Sequence, residues 1–204
     1  QGMNDVFYHR IMIPIHDENG NPVGFSARRI GDGAEAKYIN TQETPIYHKG
    51  DLIFNYHRAK GEARKEKCVY LVEGAMDVLA LEKVDHHNAI AMLGTACTKE
   101  QLKLLSRLGV DVVVCYDGDQ AGRNATYKFG KLAKGILSFT IVENKTALDP
   151  DEIIEAYGRD ELKKTLHKTI SWIDFLFAYL MHKYDLENYS QKKEYAKELA
   201  EEIA

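Results

Sequence analysis

Four short apolar runs, separated by stretches of helical length, decide most of what this chain can become. Val69–Val72, Ala89–Met92, Asp111–Cys115 and Ile136–Val142 are apolar at nearly every position, so each reads as a strand buried on both faces. Between them lie Ala75–Val84, residues 98–108 and Gln120–Ala133, all with helical spacing. Thr98 and Gln101 stand in capping-box spacing, and Gly109 follows the last turn of that helix. Strands alternating with helices of this length predict βαβ units. The expected class is therefore α/β, a mostly parallel sheet with helices on both faces.

The flanks obey other periods. Arg10–Ile15 and Val23–Arg28 surround Asp17-Glu18-Asn19-Gly20, and Asn-Gly between two apolar runs signals a hairpin. Near the other end, Trp172, Phe175, Leu176, Tyr179, Leu180 and Lys183 fall at i, i+3, i+4, i+7, i+8 and i+11, an apolar helical stripe expected to pack on the sheet. A thinner stripe runs through Tyr195, Leu199 and Ile203. The predicted organisation is a small mixed α/β segment over residues 1–66, the parallel-sheet domain over 67–147, and a helical subdomain over 148–204 in which every element is a helix.

Composition excludes several classes. With 12 Tyr, 7 Phe and 4 Pro in 204 residues, the chain is not disordered. Its longest uninterrupted apolar run, Phe175–Met181, is far too short to cross a membrane. The three cysteines show no CxxC or Cys/His zinc spacing, which suits reduced thiols and a cytoplasmic protein, expected to be monomeric. Lys and Arg number 27 against 31 Asp and Glu, for a net charge of −4. The whole is not a polycation built to coat DNA, and residues 148–204 alone carry 8 basic and 13 acidic side chains. The Gln1-Gly2-Met3 start reads as a protease scar, and the sequence as a fragment.

Acids concentrate where an open parallel sheet binds ligands, beyond the carboxyl ends of its strands. Glu73 directly follows Val69–Val72, Asp117 and Asp119 follow Asp111–Cys115, and Asp149 and Asp151 come shortly after Val142. Asp77 lies one helical turn beyond Glu73. Carboxylates gathered on one edge repel one another unless cations intervene. Hard divalent ions are the natural compensation, and Mg²⁺ pairs such ligands with substrate phosphates. Local readings stand beside this one. Asp117-Gly118-Asp119 is also common turn chemistry, and Asp149-Pro150 with Glu152 also spells an N-cap, a first helical residue and a capping-box partner.

At these residues the sequence resembles a known family. Tyr70-Leu71-Val72-Glu73-Gly74-Ala75-Met76-Asp77-Val78 is similar to the VEGYMDV segment of bacterial DnaG-type primases, with Ala75 in place of the usual Tyr. Leu93-Gly94-Thr95-Ala96 resembles their LGTS/A turn. Cys115-Tyr116-Asp117-Gly118-Asp119-Gln120-Ala121-Gly122-Arg123 resembles CYDGDRAGR, with Gln120 for Arg, and Asp149-Pro150-Asp151 resembles the DPD element. These are Toprim motifs. Upstream, Gly24–Arg28, Lys37–Thr41 and Glu43-Thr44 with His48-Lys49-Gly50 are similar to the primase segments GFGGR, KYLNS and ET…FHKG.

The resemblance implies a Toprim-like fold and synthesis of short RNA primers on a single-stranded DNA template from ribonucleoside triphosphates. It implies Mg²⁺ or Mn²⁺, two or more ions, held by Glu73, Asp117, Asp119, Asp149 and Asp151, with Glu73, Asp77, Asp117 and Asp119 as the catalytic set. Lys37 and Lys49 would hold triphosphate, with Arg28, Asn40 and His48 as further nucleotide contacts. Each has a plainer alternative: solvated lysines, a strand-edge charge at Arg28, a satisfied loop histidine at His48. Arg123 is expected to pair with a carboxylate and fix the acidic turn, and Cys115 to serve packing. The family's zinc-binding N-terminal module and its replicative-helicase-binding domain are expected to lie outside this sequence. A metal-dependent Toprim nuclease and a non-catalytic nucleic-acid-binding Toprim module remain as alternatives.

Overall fold

The structure, a computed structural model, describes residues 6–31, 34–94 and 97–203. The first expected feature, the hairpin, pairs β1 (Arg10–His16) antiparallel with β2 (Pro22–Arg29), Met12 opposite Ala27. Its loop is held by Asp17, whose Oδ1 accepts the Asn19 and Asn21 amides, both at 2.9 Å. The short strand β3 (Tyr38–Asn40) adds to β2 and completes a three-stranded sheet. A 3₁₀ turn over Lys49–Asp51 then leads to α1 (Tyr56–Glu66).

The second sheet follows the strand–helix rhythm. Its elements are β4 (Cys68–Val72), α2 (Ala75–Glu82), β5 (Ala89–Ala91), α3 (Lys99–Leu108), β6 (Asp111–Val114), α4 (Gln120–Ala133) and β7 (Phe139–Val142). Then come α5 (Pro150–Tyr157), α6 (Arg159–Leu166), β8 (Thr169–Ile170), α7 (Trp172–Lys183) and α8 (Tyr189–Ile203). The strand order is β5-β4-β6-β7-β8. The first four strands run parallel, and β8 is antiparallel to β7.

Two expectations are corrected. The final third is not all helix, because Thr169-Ile170 pairs with Ile141 and Val142. Two residues carry no readable period, and their strand exists only because β7 offers an edge. The last parallel strand begins at Phe139 rather than Ile136. Ile136 and Leu137 are spent closing α4, both donating to the Ala133 carbonyl, with Gly135 at φ +75°.

Alternation along the strands explains the layers. Val69 and Leu71 of β4, Val112 and Val114 of β6, and Ile141 of β7 face one core, completed by α1, α3, α4 and α7. Tyr70, Val72, Val113, Cys115 and Val142 face the other, completed by α2, α5 and α6. Leu71, Val112 and Val114 are fully enclosed, and each such side chain contributes roughly 1.5–3 kcal/mol. Phe175, Leu176 and Leu180 of the predicted stripe are buried in the first core. Helix α8 is tied down electrostatically: Glu198 accepts from the hydroxyls of Tyr127 and Tyr184 and pairs with Lys183, while the buried Glu202 pairs with Lys131 at 2.6 Å.

Candidate active site

Parallel pairing is what brings the acids together. Leu71 of β4 lies opposite Val114 of β6, and the Cys115 amide donates to the Leu71 carbonyl at 2.8 Å. Both strands therefore end at one edge, and the loops that follow touch: the Asp117 amide donates to Glu73 Oε1 at 3.4 Å. The segment that follows Asp117 has no room for a side chain at Gly118 or Gly122. A Cβ on Gly118 would lie 1.6 Å from the Thr146 carbonyl oxygen, and one on Gly122 would lie 2.1 Å from the Asp117 carbonyl oxygen.

The third contribution comes from the loop after β7. Asn144 organises it, accepting the Thr146 amide and hydroxyl on Oδ1 and donating to the Leu148 carbonyl. That scaffold delivers Asp149 to the edge and presses the Thr146 carbonyl on Gly118. Short polar side chains bonding to nearby backbone are the readable signal for such a loop. The motifs in the sequence do not single out Asn144 or Thr146, because their role depends on where the loop lies against Gly118.

Several of these acids have local duties as well. Asp119 Oδ1 accepts the Gly122 amide at 2.7 Å as the N-cap of α4. Asp149 caps α5, its Oδ1 accepting the Glu152 amide at 2.7 Å in a complete capping box with Pro150 at the first turn. Asp77 Oδ2 accepts the Gly74 amide at 2.9 Å and caps α2. Asp151 is buried and paired with Lys83 at 2.9 Å. No ion pair joins Arg123 to a carboxylate among the described residues, which corrects that expectation. Steric fit at Gly118 and Gly122 fixes the turn without it.

The electrostatics record the crowding. Burial, then the charges of Asp149, Asp117 and Glu73, push Asp77 up to about 8. Burial with Glu73, Asp149 and Asp119 pushes Asp117 up to about 7. Glu73 is raised by burial first, with Asp119 and Asp149 adding to it and the Asp117 amide opposing. Asp149 is raised by burial as well, while Lys37 pulls the other way. Asp117 Oδ1 is buried with no hydrogen-bond partner, a costly state for a carboxylate oxygen. Among the described residues no three such side chains are close enough together to grip one ion. The donor set is nonetheless all hard oxygen, which suits a divalent cation that keeps part of its water shell.

Facing these acids is a cleft of about 340 Å³ lined by Ser26, Lys37, Tyr38, Asn40 and Lys49 on one side and Glu73, Asp77 and Asp149 on the other. Of the expected nucleotide contacts, Lys37, Asn40 and Lys49 reach it. Arg28 and His48 do not line it. Arg28 sits on β2 opposite Tyr38, and the exposed His48 holds Glu43 at 2.9 Å. Thr95 and Ala96 of the expected Leu93–Ala96 turn, and Gln1–Met3, lie outside the described residues. Cys115 is buried, as a packing role requires.

Comparison with known proteins finds matches to both the sequence and the fold. Residues 1–60 match the family model for the N-terminal domain of the DNA primase catalytic core, and residues 70–154 match the Toprim-like model. The DNA primase of Listeria monocytogenes is 34% identical over 205 residues, covering 99% of this chain and 33% of that protein. The chain thus spans about a third of the length of the curated relatives it matches. A DNA primase domain from Pseudomonas aeruginosa superposes with a TM-score of 0.82 at 32% identity, covering 97% of this chain and 64% of that one. A DnaG primase catalytic domain bound to single-stranded DNA gives 0.81 at 30% identity, covering 97% and 66%. In sequence and in fold, the chain belongs to the DnaG-type primase family, as part of the catalytic core.

Proposed function

We propose that this chain carries out the nucleotidyl-transfer step of a DNA primase, template-directed synthesis of short RNA primers on single-stranded DNA. The observation that carries the reading is a single cleft with Lys37, Asn40 and Lys49 facing Glu73, Asp77 and Asp149. In the reaction the 3′-oxygen of one nucleotide bonds to the α-phosphorus of a ribonucleoside triphosphate. The bond from that phosphorus to pyrophosphate breaks, and the hydroxyl proton leaves.

Lys37 and Lys49 bind the triphosphate, and an ammonium on a flexible stem suits a group that moves as its bond breaks. Asn40 adds a neutral hydrogen-bonding contact. Glu73, held above the usual carboxylate range by burial and its acidic neighbours, accepts the hydroxyl proton. Asp77 orients the start of α2 through Gly74 and thereby the Glu73 loop. Glu73, Asp117, Asp119 and Asp149 are the residues to hold Mg²⁺ or Mn²⁺. Asp151 already has Lys83, so its part is to anchor α5. Bound there, such ions lower the pKa of the attacking hydroxyl and offset the charge of the leaving pyrophosphate. Single-stranded DNA is the template, the replicative helicase a partner, and the bacterial nucleoid the place of action. Among the described residues no helix is long and apolar enough to cross a membrane.

The test is anomalous diffraction from crystals soaked with Mn²⁺ and a ribonucleoside triphosphate. The expected result is metal beside Glu73, Asp117 and Asp119 with phosphate oxygens at Lys37 or Lys49. Saturating Mn²⁺ with no peak at those carboxylates would reduce them to turns and caps and overturn the reading.

A further inference from the structure

Glu73 and Gly94 form part of the wall of two cavities, not one. The first is the cleft with Lys37 and Lys49. The second, about 360 Å³, opens on the α4 side of Glu73, against Met92, Tyr116, Asn124, Lys128 and Phe129.

The two differ in chemistry. The difference is in charge: the first carries two lysines and three carboxylates among its apolar groups, and the second one lysine and the shared Glu73. Apart from Glu73, the second is lined by the Met92 thioether, the Cys97 thiol, the rings of Tyr116 and Phe129, the Asn124 amide, and Lys128, which makes no ion pair among the described residues. Asn124 is held in a defined orientation, because its Oδ1 accepts both the Tyr179 hydroxyl at 2.8 Å and Gln120 Nε2 at 2.9 Å. With the oxygen occupied twice, what the amide has left to offer is its NH₂ group. A planar, partly apolar ligand bearing acceptors and a single phosphate fits such walls. A triphosphate, with more charge than one lysine meets, does not.

We propose that this second cavity seats the nucleotide that supplies the attacking 3′-hydroxyl. Its base lies on the Met92–Tyr116–Phe129 floor and accepts from Asn124, and its phosphate lies toward Lys128. The assignment rests on the nucleotidyl-transfer reading of the first cleft. It adds that attacking and attacked nucleotides approach from opposite sides of Glu73. The reaction then needs no exchange of occupants in one pocket.

The test measures equilibrium binding of two probes to the whole chain with Ca²⁺ present. One is a ribonucleoside triphosphate, and the other a ribodinucleotide with a free 3′-hydroxyl. Both should bind at once, neither displacing the other. Asn124→Asp keeps the two bonds to Oδ1 and removes the donors. It should weaken the dinucleotide about tenfold, the weight of one or two hydrogen bonds, and leave the triphosphate unchanged. Ala121→Phe, which fills the mouth from an exposed position on α4, should do the same. Lys37→Ala should show the reverse pattern. Competition between the probes, or an Asn124→Asp effect on the triphosphate alone, would overturn the second site while the first cleft stands. A triphosphate indifferent to both Lys37→Ala and Lys49→Ala would instead remove the reading on which the second site rests.

Discussion

Gly118→Ala asks how firmly the acidic turn is fastened to its neighbour. The added Cβ would sit 1.6 Å from the Thr146 carbonyl oxygen and 2.8 Å from its carbon. A relaxed carbon–oxygen contact is about 3.3 Å, so turn and loop must part by roughly 1.7 Å. Neither side has a rotamer to absorb this, since the obstacle is backbone and Asn144 holds Thr146 by two bonds, at 3.0 and 2.7 Å. Overpacking against yielding side chains costs about 1–3 kcal/mol, and a rigid obstacle places this case at about 3 kcal/mol or above. In a chain of 204 residues each kcal/mol moves Tm by roughly 2–4 °C. The expected loss is therefore about 6–12 °C, read by circular dichroism in chelator.

Mn²⁺ affinity, measured where both proteins are folded, should fall as well, because the separation carries Asp117 and Asp119 away from Glu73. Gly61→Ala is the reference. Gly61 is exposed in α1 with open space where a Cβ would go, and the substitution should gain about 0.5–1 kcal/mol from helix propensity. If Gly118→Ala melts with the parent and binds Mn²⁺ as tightly, the turn is not packed on Thr146 and the reasoning fails.

Further expectations follow from the same contacts. Asp77, Asp117, Glu73 and Asp149 all titrate above their ordinary values when folded. The unfolded chain therefore releases these protons first, and without metal stability should decline as pH rises from about 4 toward 8. Asp77→Asn should flatten that decline, and parallel Tm–pH curves would count against it. A divalent cation should raise Tm more at pH 8 than at pH 5.5, and an equal rise at both would detach the cation from these carboxylates. Lys83→Met strips the buried Asp151 of its partner and, with the lysine half-exposed, should cost about 1 kcal/mol in a urea titration. Thr98→Ala removes the acceptor for the Gln101 amide and the donor to the Gly50 carbonyl, which should cost about 1–2 kcal/mol. No change in urea midpoint would show the cap to be idle.

Periodicity and punctuation made the sheet legible. Val112–Val114 can only be a doubly buried strand, and Thr98, Gln101 and Gly109 bracket α3 as their spacing says. The acids were legible for the same reason, since parallel strands put Glu73 and Asp117 on one edge once β4 and β6 are neighbours. What stayed hidden depends on partners distant in sequence. Thr169-Ile170 has no pattern of its own, and Lys83 meets Asp151 across 68 residues. The fit of Gly118 against Thr146 is a matter of backbone position that no side-chain code announces. Arg28 and His48 matched family segments, yet a matched segment does not say which of its residues turns toward the cleft.

The two-residue strand β8 has a consequence for how this protein behaves in a crowded solution. A parallel sheet leaves two rows of unpaired amides and carbonyls, each a template for a foreign strand. Here β8 takes up one side of β7, and at the opposite end the Phe54 amide and carbonyl pair with Ala91 of β5. Both margins are blunted by segments too short to seed a fibril themselves. A variant that unpins Phe54 or shortens the 167–171 connection should fold with the same core and still precipitate sooner on heating.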